Sequence, residues 1–178
     1  MSSYRIQQRM DALSAIGRKA LIPYIVAGDP TPSVTVPAMH AMVEAGADII
    51  ELGMPFSDPF ADGPVNQRGA ERAIAGGTTL RGVLDAVSEF RRTDQQTPVV
   101  LMGYLNPVIA MGETAFCDAC KEAGVDGLLI VDMPPEEEGS LVQGAKNCGL
   151  DLIYLAAPTT TDARLATIGQ ATSGYLYY

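Results

Sequence analysis

Short, uninterrupted apolar runs rich in β-branched residues recur along the chain, and each ends in a break rich in Gly, Pro or Asp. The six runs begin at Ala20, Ala47, Pro98, Val125, Leu150 and Gly174. A strand with one face in water alternates apolar and polar residues, whereas a strand buried on both faces of a parallel sheet is continuously apolar. The runs therefore predict buried parallel strands.

Helical patterns lie between these runs, and most of them end at a glycine. We predict an N-terminal helix at 6–16 and connecting helices at 31 or 33 to 44, 78 to about 92, 113–123, 135–147, and 161 or 162 to 170. Ser, Thr and Asp are common helix N-caps, and Gly commonly follows the last turn. The alternation of strand and helix predicts an α/β fold with right-handed crossovers.

The number of repeating units indicates the architecture. A closed (β/α)₈ barrel has eight units and typically about 250 residues, whereas this chain has 178 residues and six strand-like runs. We expect a single domain over 1–178, a (β/α)₈ TIM barrel of which this chain supplies about six βα units. Because the chain stops inside an apolar run, at Tyr177 and Tyr178, we also expect that it is truncated at the carboxyl end.

Charge and composition argue against several classes of function. The chain has 21 acidic and 12 basic residues, a net charge of −9, and no basic run. An acidic surface repels phosphate backbones and anionic lipids, so neither nucleic acid nor a membrane is an expected partner. The longest apolar stretch, 99–105, is too short to span a bilayer. The charged start lacks the apolar centre of a signal peptide, which predicts a cytoplasmic protein.

The cysteines and the single histidine favour structural roles. Cys117, Cys120 and Cys148 are odd in number and lie in helical patterns, which predicts reduced thiols. The C-x-x-C spacing at 117–120 could indicate a redox pair or half a zinc site, but no second pair and no histidine lies nearby. His40 alone cannot form a multi-histidine metal site or a histidine-based triad, and we expect it on a helix surface. No metal is expected.

Glu51 lies at the carboxyl end of the second apolar run. Active-site residues of parallel α/β folds gather at this end of the strands. Flanked by Ile50 and Leu52, its carboxylate is poorly solvated, which raises the pKa and suits proton transfer near neutral pH. Glu51 is therefore a candidate general acid/base, and equally a candidate structural carboxylate bonded to backbone N–H groups.

Asp62 follows eleven residues later in an unusually long connection. Asp-Gly is ordinary turn chemistry. However, βα connections usually take about 2–6 residues, and this one is stiffened by prolines and phenylalanines, so it can fold back over the barrel mouth. Asp62 could then face Glu51 across a ligand. Asp58 is a weaker candidate for the same role, and equally a surface or interface residue.

Three further features have simpler structural explanations. Gly76 and Gly77 could form an anion-binding nest, but they fit a helix end before a cap at Thr78. The acidic run at 134–138 could bind metal, but it fits a helix start with proline and acidic residues in the first turn. Tyr175, Tyr177 and Tyr178 are expected in a strand, some of them facing the barrel interior.

Four segments resemble the alpha subunit of tryptophan synthase, and the resemblance covers essentially the whole chain. They are IPYIVAGDP at 22–30, ELGMPFSDPFADGPVNQ at 51–67, MGYLNPV at 102–108 and DGLLIVDMP at 126–134. The second segment is long, irregular and specific. The resemblance implies a lyase of tryptophan biosynthesis that cleaves indole-3-glycerol phosphate to indole and glyceraldehyde 3-phosphate by retro-aldol chemistry, with no organic cofactor and no metal.

The resemblance also implies roles for individual residues. Glu51 matches the family residue that transfers protons at indole C3 and at the glycerol hydroxyl. Asp62 matches the residue that pairs with the indole N–H and stabilises the positive charge developing there. Tyr177 is implied near the catalytic carboxylate. The implied apolar wall for indole consists of Tyr24, Met102, Leu129 and Leu155.

The family works as an α₂β₂ complex with a pyridoxal-phosphate-dependent beta subunit that condenses indole with serine. The implied partner surface includes Pro55, Asp58, Asn106 and Pro107. The family's glycine-rich phosphate-binding loops after strands 6 to 8, and its mobile loop after strand 6, have no counterpart in this sequence. Two alternatives stay open: a free-standing indole-3-glycerol-phosphate lyase, and a non-catalytic chain that only docks on a beta subunit.

Overall fold

The computed structural model describes residues 4–137 and 139–178, in which five strands alternate with eight α-helices. The strands are β1 (Tyr24–Val26), β2 (Ile50–Gly53), β3 (Val99–Gly103), β4 (Gly127–Ile130) and β5 (Asp151–Leu152). The helices are α1 (Arg5–Ala15), α2 (Thr35–Glu44), α3 (Pro64–Ala75), α4 (Leu80–Phe90), α5 (Leu105–Met111), α6 (Glu113–Ala123), α7 (Ser140–Cys148) and α8 (Asp162–Ala171). A short 3₁₀ turn, Pro32–Val34, precedes α2.

The five strands form one parallel sheet in chain order, β1-β2-β3-β4-β5. A doubly wound sheet reverses direction at a switch point, whereas the wall of a (β/α)₈ barrel adds each new strand on the same side. The prediction of parallel strands with helical crossovers is confirmed, and the strand order is that of a barrel wall.

The sixth apolar run does not form a full strand. Tyr177 makes a single parallel bridge to Leu155. Its N–H donates to the Tyr154 carbonyl at 3.1 Å, and its carbonyl accepts from Ala156 N–H at 2.8 Å. The prediction of six strands is therefore corrected to five strands and one bridge, although the run lies where the next strand of a barrel wall would lie.

Several helix starts differ from the sequence prediction. Helix α7 begins at Ser140 rather than at 135, because Pro135 and Glu136 lie in a turn, and Glu136 forms an ion pair with Arg164 of α8. Glu138, the last acidic residue of that run, lies outside the described residues. At α4 the cap is Thr79, whose hydroxyl accepts from Gly82 N–H, and not Thr78. Helix α5 has no counterpart among the predicted helices, and of α3 only the end at Gly76 was predicted.

Alternate residues of each strand face two different apolar layers. The outward positions, such as Ile50 and Leu52 of β2, pack with the helices in a large outer cluster. The inward positions form a smaller cluster of Ile6, Ile49, Val100, Leu129 and Ile153. Since side chains alternate along a strand, Glu51 of β2 points to the inner layer, between Ile50 and Leu52 that point outward.

Helix α1 covers the amino-terminal end of the sheet. Ile6 belongs to the inner cluster, and Arg5 pairs with the fully buried Asp126, which lies just before β4. Asp126 also accepts from Arg91 and from Val99 N–H at the start of β3. The buried Asp126 carboxylate at this end is thus fully engaged by two arginines and a backbone N–H.

The histidine and the cysteines lie in helix packing interfaces. His40 is partly buried in α2, where its ring lies 4.8 Å from that of Phe90, so it is not a simple surface residue. The three cysteines are buried and unpaired, as predicted. Burial raises the pKa of the Cys117 thiol to about 12, which disfavours the thiolate that redox chemistry needs. The structural interpretation of the C-x-x-C spacing is therefore favoured.

Candidate active site

Glu51 is buried and is held by a tyrosine from the far end of the chain. Only 5% of the residue is exposed, and its Oε1 accepts a hydrogen bond of 2.6 Å from the Tyr175 hydroxyl. Burial raises the pKa of Glu51, while the bond from Tyr175 opposes that rise. No backbone N–H of the described residues donates to this carboxylate, which argues against the purely structural interpretation.

Asp62 lies in the loop that follows β2 and is held by a second tyrosine. The hydroxyl of Tyr104 donates to Asp62 Oδ2 at 2.6 Å and accepts from Ala61 N–H at 3.0 Å. The Asp62 carbonyl accepts from the Gln67 amide at 2.8 Å. Tyr104 follows β3 directly and is 3% exposed, so it ties the loop to the carboxyl end of the sheet.

Aromatic packing reinforces this loop. The rings of Phe56 and Phe60 lie 5.4 Å and 5.2 Å from that of Tyr104. Burial, and then the bond to Asp62, raise the pKa of Tyr104 to about 12, so its hydroxyl stays protonated and acts as the donor. The loop is therefore folded back over the sheet, as the sequence predicts.

The two carboxylates share one arrangement: a tyrosine hydroxyl engages one oxygen and the other oxygen is unengaged. Among the described residues, no hydrogen bond reaches Glu51 Oε2 or Asp62 Oδ1. A tyrosine that donates to one oxygen restricts the rotation of the carboxyl group and leaves the second oxygen for a ligand. Each carboxylate is thus oriented without being saturated.

Tyr24 lies next to Glu51 in the sheet and lines a pocket with Asp62. It is the register partner of Glu51 in the neighbouring strand, so both side chains lie on the inner face. It also lines a pocket together with Asp62, Met102, Tyr104 and Val131. Burial raises the pKa of Tyr24, and the charges of Asp62 and Glu51 raise it further. Both carboxylates are therefore close to this ring.

The other residues expected to line the site also lie on the inner face of the sheet. Met102 and Leu155 pack against the inner cluster, and Leu129 belongs to it. Tyr177 is 37% exposed and lies beside Leu155. The hydrogen bond to Glu51 comes from Tyr175, and not from Tyr177.

The residues implied at a partner surface lie beside this pocket. Pro55 lines the pocket, and Asp58 is exposed, accepting a hydrogen bond of 2.6 Å from the Ser57 hydroxyl. Asn106 is exposed and Pro107 half-buried in the first turn of α5, which starts just after Tyr104. Phe60 is 73% exposed although it touches Tyr104. Pro55, Phe60 and the apolar residues at the start of α5 thus form an apolar rim, which the polar side chains of Asp58 and Asn106 interrupt.

Two site residues were not identified from the sequence. Tyr104 lies within one of the segments quoted for the family resemblance, directly after a strand. That position at the carboxyl end of a strand could have indicated a site residue. Tyr175 lies two residues before Tyr177, and since side chains repeat every second residue in an extended segment, both were candidates for the inner face. Only the fold distinguishes them, because it places the Tyr175 hydroxyl on Glu51.

Within 4–137 and 139–178, no three His, Cys, Asp or Glu side chains come together as metal ligands. None of the helices described is long and apolar enough to cross a membrane.

The chain matches the family model for the tryptophan synthase alpha chain over residues 10–178. It is 60% identical over 174 residues to the tryptophan synthase alpha chain of Burkholderia thailandensis, covering 98% of this chain and 64% of that relative. The alpha chain of Laribacter hongkongensis is also 60% identical, and 66% of it is covered. The chain therefore spans about two thirds of the length of these relatives.

Solved structures show the same fold. The alpha subunit of tryptophan synthase from Legionella pneumophila has a TM-score of 0.94 and 49% identity, with 98% of this chain and 66% of that chain covered. A ligand-free form of tryptophan synthase from M. tuberculosis has a TM-score of 0.93 and 38% identity, with 99% and 70% covered. Together with the parallel, sequentially ordered sheet, these likenesses establish a (β/α)₈ TIM-barrel fold, to which this chain contributes the five strands described.

Proposed function

Because the chain belongs to the tryptophan synthase alpha chain family, we propose that it carries the acid/base site that cleaves indole-3-glycerol phosphate to indole and glyceraldehyde 3-phosphate. The observation that supports this most directly is the pair of half-engaged carboxylates at the carboxyl end of the sheet. One lies in a strand and the other in the loop after it, and Tyr24 is close to both.

Glu51 carries the proton in this proposal. Its burial raises its pKa, so the protonated form persists toward neutral pH and can protonate indole C3 through Oε2. The positive charge of the resulting ring cation is spread toward N1. The carboxylate then removes the proton of the side-chain hydroxyl next to the ring, the C–C bond breaks, and its electrons return to the ring. Glu51 ends the cycle protonated, as it began.

Asp62 stabilises the charged intermediate. Its free Oδ1 accepts a hydrogen bond from the indole N–H, and its negative charge opposes the positive charge at N1. Such stabilisation is strongest where water is excluded, and Met102, Val131 and the ring of Tyr104 line the pocket beside Asp62. Tyr104 keeps the carboxylate in position.

The proposal is tested by replacing each carboxylate with its amide. Glu51→Gln keeps the shape but removes the transferable proton, and Asp62→Asn removes the compensating charge. We expect indole release from indole-3-glycerol phosphate to fall by about 10²–10⁴-fold in each variant. Asp151→Asn is the matched control, because Asp151 is a half-buried carboxylate with a raised pKa at the amino end of β5. Cleavage at the original rate in Glu51→Gln would contradict the proposal.

Stability measurements separate a catalytic loss from unfolding. A carboxyl group whose pKa is raised on folding stabilises the fold below its unfolded pKa, and that contribution is lost as pH rises through the folded value. Glu51 is such a group. At neutral pH the free energy of unfolding of Glu51→Gln should therefore equal or exceed that of the original chain, and the difference should shrink on acidification.

The partner in this proposal is a tryptophan synthase beta subunit. The apolar rim formed by Pro55, Phe60 and the start of α5 lies next to the pocket, so a protein seated there would receive indole without its release to solvent. The alternative of a free-standing lyase is distinguished by whether cleavage accelerates when a beta subunit is added. A chain that binds the beta subunit but cleaves nothing would support the docking alternative.

A cytoplasmic location accords with this proposal. The three unpaired, buried cysteines suit a reducing compartment. Localisation of a tagged chain by cell fractionation tests it.

A further inference from the structure

The hydroxyl of Tyr24 differs from those of the other two tyrosines in the site. Tyr175 donates to Glu51 and Tyr104 donates to Asp62. Within the described ranges the Tyr24 hydroxyl makes no hydrogen bond, although the ring lines the same pocket as Asp62. Tyr24 is only partly buried, so this hydroxyl is open to the pocket rather than enclosed by the core. Its hydrogen is therefore available to a ligand.

The fold fixes the position of this hydroxyl. Tyr24 pairs in register with Glu51, and its side chain extends along β2 as far as Gly53. A Cβ atom at Gly53 would lie 2.4 Å from the hydroxyl oxygen and 2.8 Å from Cζ. Only a glycine leaves this space open, so the ring occupies a groove over β2. The phenol is held at one point beside both carboxylates.

The free polar atoms near Tyr24 are complementary to one ligand group. Glu51 Oε2 and Asp62 Oδ1 both accept hydrogen bonds when ionised, whereas the Tyr24 hydroxyl can donate one. A ligand hydroxyl that donates its proton to Glu51 still has lone pairs to accept from Tyr24. An apolar methylene at the same place can satisfy neither group.

We infer that Tyr24 is a specificity-determining residue whose hydroxyl donates to the ligand hydroxyl that faces Glu51. This inference rests on the proposed function, which supplies the identity of that hydroxyl. Tyr24 thereby selects ligands that are hydroxylated next to the indole ring over those with an unsubstituted chain. It also holds the oxygen from which Glu51 takes the proton.

The test uses Tyr24→Phe, which removes only the oxygen, and two ligands that differ in the side-chain hydroxyls. One is indole-3-glycerol phosphate, measured by kcat/KM. The other is 3-(indol-3-yl)propyl phosphate, measured as a competitive inhibitor. We expect Tyr24→Phe to lower kcat/KM for the first about 3- to 10-fold, the effect of one lost hydrogen bond, and to leave the inhibition constant of the second within about twofold.

A matched control removes a phenol oxygen elsewhere. Tyr154 is 4% exposed and packs in the outer cluster on the opposite face of the sheet. Tyr154→Phe should therefore change neither kcat/KM for indole-3-glycerol phosphate nor the inhibition constant of 3-(indol-3-yl)propyl phosphate. Equal weakening of both ligands by Tyr24→Phe would assign Tyr24 to packing alone and overturn the inference, as would an unchanged kcat/KM.

Failure of the proposed function gives a different result. If the original chain binds indole-3-glycerol phosphate without cleaving it, the two dissociation constants replace the kinetic constants, and a Tyr24→Phe effect confined to the hydroxylated ligand still supports the inference. If the original chain binds neither ligand, both the proposed function and the inference are wrong.

Discussion

At the scale of single residues, the site depends on tyrosine hydroxyls that orient carboxylates. Tyr175 and Tyr104 each engage one oxygen of a carboxylate by a bond of 2.6 Å. A bond to the ionised form lowers the pKa of a carboxyl group, whereas burial raises it. For Glu51 the rise from burial is the larger effect. The raised pKa favours the protonated form of Glu51, which can donate a proton, and the hydrogen bond from Tyr175 limits the rise of that pKa.

Replacing Tyr175 tests this balance. Tyr175→Phe removes the bond that favours ionised Glu51, so the pKa of Glu51 should rise further. If Glu51 must be protonated to act, the limb of the kcat/KM profile on which activity falls with rising pH should move to higher pH. Tyr178→Phe is the control, because Tyr178 lies in the same segment but is 80% exposed. A limb at the same pH in Tyr175→Phe and the original chain would show that Tyr175 does not tune Glu51.

At the scale of elements, the buried carboxylate of Asp126 joins three parts of the barrel floor. Its side chain accepts from Arg5 of α1 at 2.8 Å, from Arg91 after α4 at 2.7 Å and from Val99 N–H of β3 at 2.8 Å. Arg91 is itself 6% exposed, and its other N–H groups donate to the carbonyls of 94, 97 and 124. This network sets where β3 and β4 begin.

We expect Asp126→Asn to lower the free energy of unfolding by about 3–5 kcal/mol, because it removes the nearest counter-charge of the buried Arg91 guanidinium and leaves only Asp94, at 4.0 Å. Denaturant unfolding followed by circular dichroism measures the change. Arg164→Gln breaks the exposed pair with Glu136 and should change the stability little, since exposed ion pairs contribute little. An unchanged unfolding midpoint in Asp126→Asn would contradict this expectation and would mean that the hydrogen bonds of Arg91 to backbone carbonyls are enough to stabilise its buried charge.

At the scale of the whole molecule, the two ends of the barrel have different surfaces. The amino end is closed by α1 and ion pairs, including those of Arg9 and Arg18 with Asp48. The carboxyl end carries the pocket and an apolar rim with Phe60 at 73% exposure and Ile109 at 59%. Exposed apolar surface beside a polar pocket is typical of a protein interaction site. The proposed beta subunit would therefore contact the carboxyl end.

Two serine variants of equal initial exposure test this expectation. Phe60→Ser should weaken binding to a beta subunit about 10-fold or more, because large aromatic residues dominate interface affinity. Ile16→Ser changes an apolar residue that is also 73% exposed but follows α1 at the amino end, and should leave binding unaltered. Calorimetric titration with the beta subunit measures both. Equal affinities for all three chains would exclude the carboxyl-end rim as the docking surface.

The sequence by itself determined the alternation of buried strand and helix and the place of Glu51 at the carboxyl end of the second strand. Both follow from local pattern, because a strand covered on two faces is continuously apolar and the end of each apolar run can be read along the chain. The specific loop segment also placed Asp62 after β2. The helix start at Ser140 was not predicted, because proline and acidic residues fit a turn as well as a first helical turn, and Glu136 is paired with Arg164 from a later helix.

Only the tertiary structure decided which polar groups meet. Tyr175 and Glu51 are 124 residues apart, and Tyr104 and Asp62 are 42 apart, so no local period relates them. Their contacts depend on the register of each strand and on the direction in which the long loop folds, and both are set by packing across the barrel. The same holds for the unpaired hydroxyl of Tyr24, because whether a hydroxyl has a hydrogen-bond partner depends on the positions of all the residues that surround it in the folded chain.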